Sequence, residues 1–147
     1  MHELCFHLEN EKPHIVCFQE TWLDESTKDI EVPGYIVSSR RDRHAGSKRG
    51  GILTLQRSDF NGLVHIANAP KEKRSWHFLK LGIETILLAN WYRPGASDFD
   101  DFSDLYSEIS EYFTQLSAVL LIGDLNIHHQ RWLYFCFSMR IRILGRS

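Results

Sequence analysis

Polar side chains that can bind cations, move protons or grip phosphates stand just past short apolar runs in this chain. Gln19-Glu20-Thr21-Trp22 follows Ile15-Val16-Cys17-Phe18, and Gly123-Asp124-Leu125-Asn126 follows Ala118-Val119-Leu120-Leu121-Ile122. A rigid strand can aim a side chain placed just beyond its end. Glu20 offers the oxygen that a hard cation such as Mg2+ prefers, and such an ion keeps several waters. Asp124 accepts protons and Asn126 donates hydrogen bonds. On an extended backbone these two point to one side, where together they could hold a water or a phosphate oxygen. Each feature alone also has a plain reading. Glu20 is then a solvated surface residue, Gly-Asp-x-Asn a tight turn, and Asn90-Trp91-Tyr92-Arg93-Pro94-Gly95 a strand end with a turn.

Other groupings point to less. His128-His129 lacks a suitably spaced partner for tetrahedral zinc, and adjacent histidines rarely converge on one ion. The acidic run from Asp98 to Asp104 has neither the mid-loop glycine nor the terminal glutamate of a calcium loop, so it reads as a solvated helix start. Arg40, Arg41, Arg43, Lys48 and Arg49 make a basic stretch that could contact phosphates. Trp22, Trp91 and Trp132 read as packing residues rather than base-stacking ones.

The elements that must position these groups follow from periodicity. Residues 2–10 suit a short helix, ended by Lys12-Pro13 because proline cannot continue it. Ile15-Val16-Cys17-Phe18 is continuously apolar, as in a strand covered on both faces. Strands are also expected at Tyr35-Ile36-Val37, Ile52 to Leu55, Leu63 to Ala67, Trp76 to Leu81, Thr85 to Asn90, and Ala118 to Ile122. Phe102, Leu105, Tyr106, Ile109, Tyr112, Phe113 and Leu116 recur every three or four residues, which predicts an amphipathic helix. Asp98, Asp100 and Asp101 lie at its start, where negative charge complements the helix dipole. The pattern predicts an α/β or α+β sandwich.

With 147 residues, 43% hydrophobic and 24% charged, the chain is one ordinary globular domain. A formal charge of −2 gives no global pull on nucleic acid, so any attraction must be local. Cys5, Cys17 and Cys136 form no CxxC pair, and no secretory leader is visible, which suggests an intracellular, reducing setting. No apolar stretch is long enough to span a membrane.

In their order along the chain, three segments resemble the endonuclease/exonuclease/phosphatase superfamily. Pro13 to Leu23 is similar to its strand-plus-QET segment, Asn90 to Gly95 to its N-x-Y-x-P segment, and Leu121 to Trp132 to its GD[FL]N segment. The YRPG and HH-x-x-W forms, together with Arg49-Gly50-Gly51-Ile52-Leu53, resemble the apurinic-type endonuclease domain of LINE-type (non-LTR) retrotransposons. These forms argue against phosphoinositide or nucleotide phosphodiesterases of the same superfamily. The resemblance implies an α/β fold, a two-sheet β-sandwich flanked by helices in four layers, over residues 1–132, with residues 133–147 as a divergent tail. It implies that Glu20 ligates Mg2+, or Mn2+ in its place. It implies that Tyr92 contacts the scissile phosphate, that Asp124 orients and deprotonates water, and that Asn126 bonds a phosphate oxygen. Arg40, Arg41, Arg43, Lys48, Arg49 and His129 are the expected DNA contacts. DNA is the implied substrate, a reverse transcriptase of the same element a candidate partner, and the nucleus a plausible place of action.

Two parts of the family pattern have no counterpart here: an upstream strand with a metal-site asparagine or aspartate, and a downstream Ser-Asp-His segment. The domain is therefore expected to be incomplete at both ends, with unpaired edge strands and weakened metal binding. Two functions follow from this, a metal-dependent DNA endonuclease and a non-catalytic transposon-derived remnant with at most weak nucleic-acid binding.

Overall fold

The computed structural model describes residues 2–43, 46, 49–69, 74–94 and 100–126. Helix α1 (His2–Glu11) is followed by strands β1 (Ile15–Gln19), β2 (Tyr35–Arg41) and β3 (Ile52–Arg57). Then come β4 (Leu63–Asn68), β5 (Arg74–Leu81), β6 (Glu84–Trp91), helix α2 (Asp100–Ile109), a 3-10 helix (Ser110–Gln115) and β7 (Ala118–Ile122). One sheet has the order β1-β3-β2 and is antiparallel throughout. The second has the order β4-β5-β6-β7, with only the β6–β7 pair parallel. That parallel pair requires a long crossover, and α2 with the 3-10 turn supplies it.

The period-2 alternation of each strand sorts its side chains into three apolar layers. Ile15, Cys17, Leu63, Leu79, Leu88, Leu120 and Ile122 fill the space between the sheets. Val16 and Phe18 of β1 point the other way and pack with Leu53, Leu55 and Leu8 of α1. Leu87, Ala89 and Trp76 face outward from the second sheet onto Leu105, Ile109, Tyr112 and Leu116. The layers therefore run helix, sheet, sheet, helix. The continuous apolar run of β1 is explained: both of its faces are covered.

Two elements differ from the sequence expectation. The helix expected through Leu116 becomes 3-10 after Ile109, a tightening common at helix ends. β2 runs on through Arg41, across an irregularity between Val37 and Ser39. Pairing with β3 satisfies the backbone of this polar stretch. It also buries Ser39, whose hydroxyl meets His77 Nε2 at 3.0 Å and donates to Ser75 at 3.2 Å. Among the described residues no helix is long and apolar enough to cross a membrane.

A buried ion pair ties the crossover helix to the second sheet. Arg74 donates to Glu108 at 2.5 and 3.0 Å, and Trp76 Nε1 donates to the same carboxylate at 2.7 Å. The Arg74 guanidinium also lies 4.5 Å over the Trp91 ring. With its hydrogen-bonding sites filled on both sides, such a pair avoids the cost of an uncompensated buried charge.

Candidate active site

Glu20 lies one residue past β1, at the end of the sandwich where β3 begins. Beyond the regular ladder, Thr21 N bonds to Gly51 O at 3.3 Å and Trp22 N to Gly50 O at 3.0 Å. The two glycines allow this close approach. Both hold positive φ, +109° and +90°, and a Cβ on Gly51 would strike the Thr21 hydroxyl. The Gly50 amide is left free to donate to Glu20 Oε2 at 2.8 Å. Trp22 Nε1 donates to the same oxygen at 2.8 Å, and the Tyr92 hydroxyl is a further hydrogen-bonding neighbour of the carboxylate.

These contacts set the protonation of the site. Burial alone would raise the Glu20 carboxyl, but the donors Tyr92, Gly50 and Trp22, with the charge of Arg49, outweigh it and hold the carboxyl below its usual value. Tyr92 moves the other way. Burial, its bond to Glu20 and the charges of Glu20 and Asp124 push its hydroxyl up to about 12, with Arg49 opposing. Glu20, Arg49, Tyr92 and Asp124 are thus brought into one electrostatic neighbourhood.

Asp124 and Asn126 arrive there on a turn, which corrects the extended geometry considered from sequence. Gly123 has φ +145°, and Asn126 has φ +46°. The Asn126 amide donates to Asp124 Oδ1 at 3.2 Å, the local bond through which aspartate favours turns. Arg93 N donates to Asp124 O at 2.8 Å, and Asn126 Nδ2 donates to Arg93 O at 2.7 Å. The turn is thereby clipped to the segment carrying Tyr92. Part of the Asn126 amide is committed to this clip, leaving its oxygen and one N–H for a ligand.

Two polar residues of the sequence motifs to which the sequence assigned no role, Asn90 and Gln19, hold the halves of the site together. Asn90 is fully buried and reaches across the sandwich, its Nδ2 within 3.1–3.3 Å of Phe18 O, Leu53 O and Thr54 Oγ1. Its Oδ1 accepts from Gln19 Nε2 at 2.6 Å. Glu20 and Tyr92 each follow within two residues of this clamp. A signal for Asn90 existed in its strand parity, because it shares the inner face with Ile86 and Leu88.

The expected basic contacts divide. Arg40 is engaged with Asp42 and with the carbonyls of Asp24, Thr27 and Lys28. Arg43 pairs with Asp24 at 2.6 Å, and Arg41 donates to Ala69 O. Arg49 acts electrostatically on both Glu20 and Tyr92, lowering the pKa of each. Lys48 and His129 lie outside the described residues, as do Trp132 and the tail. Trp91 is a packing residue as expected, fully buried. Trp22 is not: 61% of it is exposed, because its ring follows the bond to Glu20 out of the core.

Among the described residues no three His, Cys, Asp or Glu side chains converge as a ready-made metal cage. The donor chemistry at Glu20 still fits an ion held by few protein ligands. Two hydrogen bonds fall on its Oε2, which leaves some of a carboxylate's roughly four lone-pair sites for an ion. Mg2+ is commonly bound through one or two carboxylates, with water and substrate phosphates completing the shell.

A family model described as Endonuclease/Exonuclease/phosphatase family matches residues 7–140. A search of the curated proteins found no match. Among solved structures, the endonuclease domain of TRAS1, a telomere-specific non-LTR retrotransposon, is similar with a TM-score of 0.58 at 14% identity, over 89% of this chain and 55% of that one. The AP endonuclease LMAP from Leishmania major gives a TM-score of 0.51 at 19% identity, over 76% of this chain and 40% of that one. These likenesses show the fold, and the chain spans only about half the length of the structures it resembles.

Proposed function

From its membership of the endonuclease/exonuclease/phosphatase family, to which this chain belongs, we propose that it is a Mg2+-dependent phosphodiesterase that nicks DNA, derived from a non-LTR retrotransposon. The observation that carries this reading is the Tyr92 hydroxyl, raised first by burial, then by its hydrogen bond with Glu20 and the charges of Glu20 and Asp124. The single O–H of this protonated phenol would turn from Glu20 to a phosphate oxygen brought beside it. Asp124 orients the attacking water and takes its proton, and Asn126 supports that water or a phosphate oxygen. Arg49 is the best placed of the basic residues to counter phosphate charge. Glu20 would hold the metal, Mg2+ or Mn2+, with waters and substrate oxygens; the ion's contribution is to neutralise charge developing on the phosphate. The YRPG and HH-x-x-W forms and the fold shared with the TRAS1 domain support the retrotransposon origin. That origin would make a reverse transcriptase of the same element a partner and the nucleus the place of action.

Nicking of supercoiled plasmid with Mg2+ tests the reading. Asp124→Ala is expected to slow nicking about 10²–10⁴-fold, the usual worth of a positioned general base. Absence of Mg2+-dependent nicking at any enzyme concentration overturns it. A second reading, a non-catalytic remnant with weak nucleic-acid binding, is favoured by the lack of a three-ligand metal cluster among the described residues.

A further inference from the structure

Trp22 is held in a place that its own physical chemistry disfavours. Its backbone is left-handed, with φ +57°, and so is that of Glu20, with φ +53°. Positive φ is an outlier for a bulky residue, and such conformations persist where the surroundings over-determine them, often at ligand sites. An indole gains most from burial, yet this one is 61% exposed, whereas Trp76 and Trp91 are 2% and 0% exposed. Two bonds keep it out: Trp22 N to Gly50 O at 3.0 Å and Nε1 to Glu20 Oε2 at 2.8 Å. The result is an oriented aromatic surface next to the carboxylate, within the neighbourhood of Arg49.

We propose that Trp22 is a nucleobase-stacking platform: it receives an unstacked base of the strand whose phosphate lies at Glu20 and Tyr92. This rests on the nucleic-acid reading of the site. The pairing of an aromatic face with nearby positive charge is how proteins hold single strands without reading sequence, since every base offers a π-face. The indole edge is fixed by Glu20, so the ring needs little further ordering when a base arrives. The platform would therefore favour a base displaced from the duplex stack over a fully paired one.

Binding without cleavage tests this directly. Fluorescence anisotropy in EDTA compares an oligothymidylate of about twelve nucleotides with an abasic strand of equal length and charge. The wild-type chain is expected to hold the base-bearing strand about tenfold tighter. Trp22→Ala should erase that preference and leave the salt dependence unchanged, because phosphate contacts set the salt slope. Trp22→Phe should keep most of the preference despite losing the N–H bond to Glu20, which separates stacking from carboxylate positioning. No preference in the wild type, or an undiminished preference in Trp22→Ala, overturns the proposal. Nicking is scored separately. A chain that does not nick but shows the Trp22-dependent preference overturns the phosphodiesterase reading and supports the platform; one that nicks without any preference does the reverse.

Discussion

Burial, the hydrogen bond with Glu20 and the charges of Glu20 and Asp124 together fix the protonation state of the Tyr92 hydroxyl. Its pKa is pushed from 10.0 up to about 12, so it remains a donor across the whole range in which nucleases are assayed. It can give a hydrogen bond to a phosphate but cannot serve as a base. Glu20, held below its usual value, stays ionised over the same range. Tyrosinate absorbance should accordingly show a late step near pH 12 that Tyr92→Phe removes. If the same substitution leaves the titration unchanged, the bond to Glu20 is wrong. Tyr92→Phe should also slow nicking about 10²-fold, in line with loss of one preorganised donor.

At the scale of elements, the site depends on how tightly strand ends meet. Gly123, at φ +145°, sits against the backbone of Trp91, and an added Cβ would collide with the Trp91 carbonyl oxygen. Gly82, in the β5–β6 hairpin at φ +62°, has nothing within 4 Å of its hypothetical Cβ. Gly82→Ala should thus cost only the left-handed penalty of about 1–2 kcal/mol. Gly123→Ala should cost clearly more and pull Asp124 away from Tyr92. Thermal unfolding of the two variants checks this, and equal losses would show that the contact at Trp91 has no consequence. Strand and helix positions were legible in the sequence because alternation and three-to-four spacing are local properties. The β2 extension was not, since Ser39, Arg40 and Arg41 look like loop residues until β3 pairs with them.

Across the whole molecule, the sheets are joined by polar groups as well as apolar ones. His77 is fully buried between them, beside Ser39 and with the His65 ring 5.2 Å away. Burial first, then the charge of His65, lowers its pKa from 6.5 to about 4. The folded state therefore prefers the neutral ring, and the unfolded state binds a proton at higher pH. The resulting stability is fully present above pH 6.5 and is lost as pH falls towards about 4. The loss is at most about 3 kcal/mol. Urea unfolding should show the midpoint dropping across that window, and His77→Gln should flatten the drop. An equally steep drop in the variant would assign the pH dependence to other groups.

Sequence alone determined most of the elements and the strand-end positions of Glu20, Tyr92 and Asp124, which follow from patterns within a few residues of each other. The two-sheet arrangement with helices outside was implied only by the family resemblance of the ordered motifs. Tertiary structure decided what those residues meet. Gln19 and Asn90, 71 positions apart, bond across the sandwich, and Tyr92 reaches Glu20 from the other sheet. Arg40 and Arg43 are taken up by Asp42 and Asp24, while Trp22 is turned outward by the bond to Glu20. Hydrogen bonds and charge effects act over a few ångströms in space, and only folding fixes which residues come that close.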